Sequence, residues 1–136
     1  MSGYRLIERI PSVEEYNRIR VSAGLAERDR RAAEIGLPNT LFGVCVEHGG
    51  RIVGIGRIVG DGALFFELVD IAVVAEHQRR GIGNMIMDAL TAWLCDNATE
   101  DAYVKLISDR GTTGFYERYG FRVRTPESSG MSFMTL

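Results

Sequence analysis

The stretch Leu68-Val69-Asp70-Ile71-Ala72-Val73-Val74, followed shortly by Gln78-Arg79-Arg80-Gly81-Ile82-Gly83, decides how the rest of the chain is read. Its first part is apolar and rich in β-branched residues, the composition of a buried strand. Beyond the turn, Ile82, Ile86, Ala89, Leu90 and Trp93 recur at helical spacing and give one apolar face. A strand that enters a helix through a basic, glycine-punctuated turn aims backbone N–H groups at whatever lies over the helix start. Those first amides lack intrahelical partners and the helix dipole is positive there, so the position favours an anion. Gly81 can adopt positive φ, and Gly83 lets a ligand approach the backbone closely. An ordinary strand-to-helix turn carries the same Gly-x-Gly, so the motif alone does not decide between the two.

Upstream, Tyr4–Arg9 reads as a first strand with Leu6 facing inward. Ser12 and Glu15 form a capping box for a helix that runs to about Val21. Glu27–Ile35 reads as a second, highly charged helix, ended by Gly36 with Pro38 just beyond. It is either a lip over a site or a solvated face. Leu41–Glu47 and Arg51–Val59 form a hairpin about His48-Gly49-Gly50, and Gly60-Asp61-Gly62 turns into the central strand Ala63–Val74. After the Gly83–Cys95 helix, Tyr103–Ser108 returns as a strand parallel to the central one. A short helix Thr112–Tyr119 and two last strands, Phe121–Arg124 and Met131–Leu136, complete a mixed α/β domain of six to seven strands and about four helices.

The 136 residues suit a single domain, residues 1–136, with one core. Net charge is −2, so no global basic field points to nucleic acid. Cys45 and Cys95 stand far apart, without metal-ligand or redox spacing, so no metal is expected. Arg5, Glu8 and Arg9 near the N-terminus and the absence of a long apolar stretch argue against a signal peptide or membrane span, and for the cytoplasm.

Two motifs together resemble the GNAT superfamily of N-acetyltransferases, which binds acetyl-CoA. One is the turn Gln78-Arg79-Arg80-Gly81-Ile82-Gly83. The other is Gly114-Phe115-Tyr116-Glu117-Arg118-Tyr119-Gly120-Phe121, similar to the family's F-Y-x-x-x-G-F segment. The resemblance covers essentially the full chain and implies a central twisted sheet, mostly antiparallel, with a parallel pair splayed at its middle. It also implies acetyl-CoA as co-substrate, its diphosphate cradled by N–H groups from Arg80 through Asn84, and Arg79 or Arg80 adding charge-assisted contacts. Backbone groups of Ile71, Ala72 and Val73 would pair with the pantetheine arm. Gln78, Gly81, Ile82, Gly83, Thr112, Phe115 and Tyr116 complete the expected cofactor contacts. Nucleoside-triphosphate and dinucleotide fingerprints fit worse, because Gly-Lys-Ser/Thr is absent and Ile86 stands at the third glycine.

Acetyl transfer to an amine needs a neutral nucleophile, stabilisation of the oxyanion and a proton for the departing thiolate. The family match assigns the last role to Tyr116. Glu67 and Asp70, two acids in an apolar strand, are candidate bases. Strand alternation puts them on opposite faces, so a bulge is required to bring both to one site, and a salt bridge with Arg57 on the neighbouring strand or simple exposure at an edge is the alternative. Arg110 stands where many family members carry an Asn that contacts the cofactor. The expected acceptor is a small primary amine, its pocket built from Tyr16–Thr40 and the last strands, with a homodimer possible. A protein acetyltransferase acting on lysine or an N-terminus, and a non-catalytic acyl-CoA sensor, are the alternatives.

Overall fold

The structure, a computed structural model, describes residues 3–135. Five strands form one sheet in the order β1-β2-β3-β4-β5. β1 (Tyr4–Ile7), β2 (Phe42–His48), β3 (Arg51–Gly60) and β4 (Phe65–Val73) pair antiparallel in succession, and β5 (Tyr103–Leu106) runs parallel to β4. Four α-helices accompany them: α1 (Val13–Ser22), α2 (Arg30–Gly36), α3 (Ile82–Asn97) and α4 (Thr113–Glu117).

The capping box at α1 is formed on both sides: Glu15 N–H donates to Ser12 Oγ at 3.1 Å, and Ser12 N–H donates to Glu15 Oε1 at 2.9 Å. Arg9 also grips Glu15, and that hydrogen bond holds its carboxyl down to about 2. α2 begins later than its charge pattern suggests. Asn17 bonds both the N–H and the carbonyl of Arg28, at 2.9 and 3.0 Å, which keeps Arg28 out of the helix and leaves Asp29 to cap it. Pro38 then sits in a single 3-10 turn, Leu37–Asn39.

The expected count of six to seven strands is corrected to five. Phe121–Arg124 and Met131–Leu136 form no ladder among the described residues, and Leu136 itself lies outside them. Their alternating pattern suits a strand, but a strand needs a hydrogen-bonding neighbour. Every residue from 122 to 135 is exposed instead.

α3 buries Ile82, Ile86, Met87 and Leu90 against one face of the sheet. It approaches closely because β3 carries Gly54 and Gly56 beneath it. A Cβ at Gly56 would stand 2.5 Å from Ile86 Cγ2, and one at Gly54 2.9 Å from Ile82 Cγ2. α1 packs on β3 and β4, on the face to which Arg57 and Asp70 point. There Tyr16 and Ile19 are buried.

The register between β3 and β4 shifts once. Ile55 pairs with Ala72 and Arg57 with Val69, so Asp70 and Ile71 together oppose Gly56. The extra residue is a β-bulge, and Asp70 takes φ +57 within it. Asp is among the few non-glycine residues that tolerate this left-handed region. The bulge turns Asp70 onto the α1 face, where Val69 and Glu67 already point by alternation. Its carboxylate, only 8% exposed, accepts from Arg20 Nη1 at 2.6 Å, Arg57 Nε at 2.9 Å and the Tyr16 hydroxyl at 2.9 Å. Arg20 also donates to the Ala26 carbonyl, and Arg57 to Thr40 Oγ1. One carboxylate therefore ties α1, the segment before α2 and the segment after it to the bend in β4.

Asp70→Ala leaves two largely buried guanidiniums without their anion and is expected to cost roughly 3–5 kcal/mol of stability, measured by urea denaturation. A loss below about 1 kcal/mol would mean that the cluster behaves as a surface pair. Gly56→Val forces α3 off the sheet and is expected to cost at least about 1–3 kcal/mol by the same measurement.

Candidate active site

β4 and β5 are paired only from Phe65–Tyr103 to Leu68–Leu106. β4 continues to Val73 while β5 ends, so the edge of β4 beyond Leu68 has no strand beside it among the described residues. The opening begins next to the Asp70 bulge and leads towards the start of α3. Ile71, Ala72 and Val73 lie along it. Their other edge is occupied by β3, through the Ala72–Ile55 and Val73–Gly54 pairs. Gln78 Nε2 donates to the Val73 carbonyl at 3.0 Å, which fixes the turn to the strand end.

At the turn, Arg79 has φ +64 and Gly81 φ +84. These two left-handed residues around Arg80 bend the backbone so that successive N–H groups gather at the helix start. Gly81 is the N-cap of α3 and offers no side-chain cap, so the N–H groups of Ile82, Gly83 and Asn84 are left for a ligand. The Arg80 guanidinium reaches the Tyr4 hydroxyl at 3.4 Å, and that hydroxyl meets His77 Nδ1 at 2.7 Å. Arg79, exposed, makes no ion pair among the described residues.

α4 closes over this start from the side of β5. A Cβ at Gly83 would stand 3.2 Å from Phe115 Cζ, so the missing side chain lets the Phe115 ring rest on the first turn of α3. The Tyr119 hydroxyl donates to Asn84 Oδ1 at 2.6 Å, a second clamp. The sequence motif marks Tyr119 only as packing. It stands in the turn just past α4. Between the clamps, the half-buried Tyr116 ring packs edge-on to Phe115 and Phe121. Its hydroxyl makes no hydrogen bond to the described residues. Burial, and secondarily Asp109, push the Tyr116 phenol above its ordinary value, so it stays protonated well past neutral pH. Thr112 caps no amide. Its hydroxyl bonds Ser108 Oγ at 2.5 Å and the Asp109 carbonyl at 2.7 Å, which steadies the loop before α4.

The two acids differ in surroundings. Asp70 has both oxygens engaged, including the ion pair with Arg57. Glu67 lies in register with Val59 on β3 and Lys105 on β5, and accepts no hydrogen bond from the described residues. Tyr16 and Arg20, one helical turn apart on α1, complete the Asp70 cluster. Their contribution was not readable before the helix was docked on β4. Beside that cluster a pocket of about 110 Å³ opens beneath α2, lined by Tyr16, Arg28, Ala33, Leu37 and Arg57. Its lining comes mostly from residues 16–37. Of the cysteines, Cys45 is buried, which pushes its thiol up to about 11, and Cys95 is exposed. No group of three or more potential metal-ligating side chains occurs among the described residues, and no helix there is long and apolar enough to cross a membrane.

A family model for an acetyltransferase (GNAT) domain matches residues 39–123, which include β4, the turn, α3 and α4. The crystal structure of a protein of unknown function from meticillin-resistant Staphylococcus aureus, a probable acetyltransferase, is 36% identical. It superposes with a TM-score of 0.93 over 97% of this chain and 99% of that one. A GNAT family acetyltransferase from Streptococcus pneumoniae, 23% identical, gives 0.80 over 97% and 98%. One from Brucella melitensis, solved in complex with acetyl-CoA and 19% identical, gives 0.64 over 88% and 83%. These last two likenesses speak for the fold alone. No curated protein matches the chain. By the family match across most of its length and by the S. aureus relative, the chain belongs to the GNAT acetyltransferase family.

Proposed function

We propose that this acetyltransferase uses acetyl-CoA as donor and transfers the acetyl group directly to the primary amine of a small molecule. The observation that carries the reading is the bare edge of β4 leading to the uncapped start of α3, with Phe115 and Tyr119 holding the segment that bears Tyr116 to that start. An extended amide-bearing arm fits the backbone groups of Ile71 and Val73, and a diphosphate fits the gathered N–H groups from Arg80 to Asn84. Arg79 is the guanidinium free to meet phosphate, because Arg80 is drawn towards Tyr4 and His77. The acetyl-CoA complex of the B. melitensis protein, which shares this fold, is in keeping with that donor.

In the chemical step, the amine nitrogen attacks the thioester carbonyl carbon, the C–S bond breaks, and the amine gives up one proton. Tyr116 donates its phenolic proton to the departing sulfur. Glu67, the acid without a hydrogen-bonded partner, takes the proton from the amine directly or through water. Asp70 positions α1 and the segments flanking α2. A buried thiol held up to about 11 makes Cys45 a poor nucleophile, which supports transfer without an acyl-enzyme.

Thiol release from acetyl-CoA, followed across aryl-alkylamines, polyamines, amino sugars, amino acids and lysine peptides, tests the reading. Turnover with a small amine is expected, and turnover with peptides alone would overturn the acceptor class. Tyr116→Phe is expected to lower kcat by about a hundredfold or more with little change in the KM for acetyl-CoA. With the phenol raised by burial, the wild-type rate climbs with pH as the amine deprotonates and falls only at alkaline pH beyond the ordinary tyrosine range, where Tyr116 ionises. The Phe variant lacks that alkaline fall. An unchanged kcat would remove Tyr116 from the chemistry.

A further inference from the structure

The pocket beneath α2 holds more positive charge than its surroundings balance. Two arginines, Arg28 and Arg57, stand in its lining, and no acid does. The Arg57 side chain is only 14% exposed. Its Nε donates to Asp70 and its Nη1 to Thr40, but Nη2 donates to none of the described residues. No buried side-chain nitrogen or oxygen among those residues lacks a partner, so Nη2 keeps access to the pocket that Arg57 lines. Asp70 is shared with Arg20, itself 12% exposed, so one carboxylate answers two largely buried guanidiniums. One positive charge is left over, and a buried charge without a counter-charge is costly. Arg28 adds another. Asn17 pins its backbone from both sides, and its guanidinium makes no ion pair among the described residues. The nearby acids are engaged elsewhere: Glu14 and Glu34 pair with Arg30, Asp29 caps α2, and Glu27 lines a separate groove with Arg18.

We infer that this pocket holds an anionic group of the acetyl acceptor, a carboxylate or a phosphate, between Arg28 and Arg57. This rests on the amine transfer proposed above and narrows its acceptor to an amine that also bears a negative charge. Each guanidinium presents a planar fork of N–H donors that matches two oxygens of either anion. Arg57, already tied to Asp70 and Thr40, is pre-organised, so little side-chain freedom is lost when the anion binds. The Tyr16 ring lies 5.9 Å from Arg57 Cζ and shields one side of it, so the anion meets a charge that water screens less than on an open surface. Ala32, Ala33 and Gly36 line the pocket from α2, and their small size leaves the arginines room. The position also suits the reaction. Asp70, bonded to Arg57, directly precedes Ile71, where the bare edge of β4 opens. An acceptor anchored by its anion therefore has its other end beside the edge proposed for the acyl-bearing arm.

Matched amines that differ in the acid test this. O-phosphoethanolamine is compared with ethanolamine, and γ-aminobutyrate with butylamine, by kcat/KM at saturating acetyl-CoA. The acidic member of at least one pair is expected to be favoured by at least about tenfold, as charge-assisted hydrogen bonds allow. Which pair shows the preference tells phosphate from carboxylate. Arg28→Ala, at an exposed position, is expected to shrink that ratio through the KM of the acidic amine. A neutral amine used as well as its acidic counterpart, or a ratio that Arg28→Ala leaves untouched, would overturn the inference while the amine transfer stands. Binding is read apart from turnover by adding inorganic phosphate or acetate to the protein saturated with coenzyme A, so that the start of α3 is filled. The backbone amide resonances of Arg28, Ala33 and Arg57 are expected to move, and in Arg28→Ala those of Ala33 and Arg57 to stay. No movement with either anion would overturn the inference whatever the turnover. Movement without turnover of any amine would support the anion site and count against the amine transfer.

Discussion

The carboxylate of Asp70, held between Arg20 and Arg57 at a residue with left-handed backbone, is the constraint on which the site depends. A bulge in the middle of a sheet forfeits regular pairing and strains a non-glycine residue by an amount on the order of 1–3 kcal/mol. Here the extra residue is one that tolerates the conformation, and its side chain is anchored by three donors. The same anchor holds α1 and the two segments around α2 against β4. Removing the bulge would return Asp70 to the α3 face, strip both guanidiniums of their anion and straighten β4 alongside β5. The opening for a ligand and the fastening of the acceptor-side helices are therefore two consequences of one carboxylate.

On the opposite face, the glycines of β3 do the complementary work. Gly54 and Gly56 let Ile82 and Ile86 settle close to the sheet, which fixes where α3 begins. Because α3 starts at a glycine with no capping side chain, its first amides remain available. Phe115 and Tyr119 then hold α4 to that first turn, so Tyr116 is positioned by contacts to the same amide-bearing segment. A phenol set by packing on the helix start moves with it, which keeps the acid and the diphosphate cradle in register.

What the sequence reveals follows the range of the interactions. The strand, the turn and the helix after it are local, and Gln78 through Gly83 mark them directly. The capping box of Ser12 and Glu15 is equally local and is formed as its spacing suggests. The bulge is different. Alternation states the problem, that Glu67 and Asp70 cannot share a face in a regular strand, but only the pairing of β4 with Gly56 shows how it is solved. The grip of Tyr16 and Arg20 on Asp70 spans 54 and 50 positions of chain and leaves no mark on either local pattern. Asn17 shortens α2 through hydrogen bonds to Arg28, eleven positions away. The C-terminal stretches show the opposite case: their strand pattern is plain in the sequence, while no strand pairs with them among the described residues.

The most direct test is to follow backbone amide resonances while coenzyme A is added. The amides of Arg80 through Asn84 should shift together with those of Ile71 and Val73, because one ligand would bridge the uncapped helix start and the bare edge of β4. Binding that leaves the turn unmoved, or moves it without β4, would contradict a site organised by the Asp70 bulge.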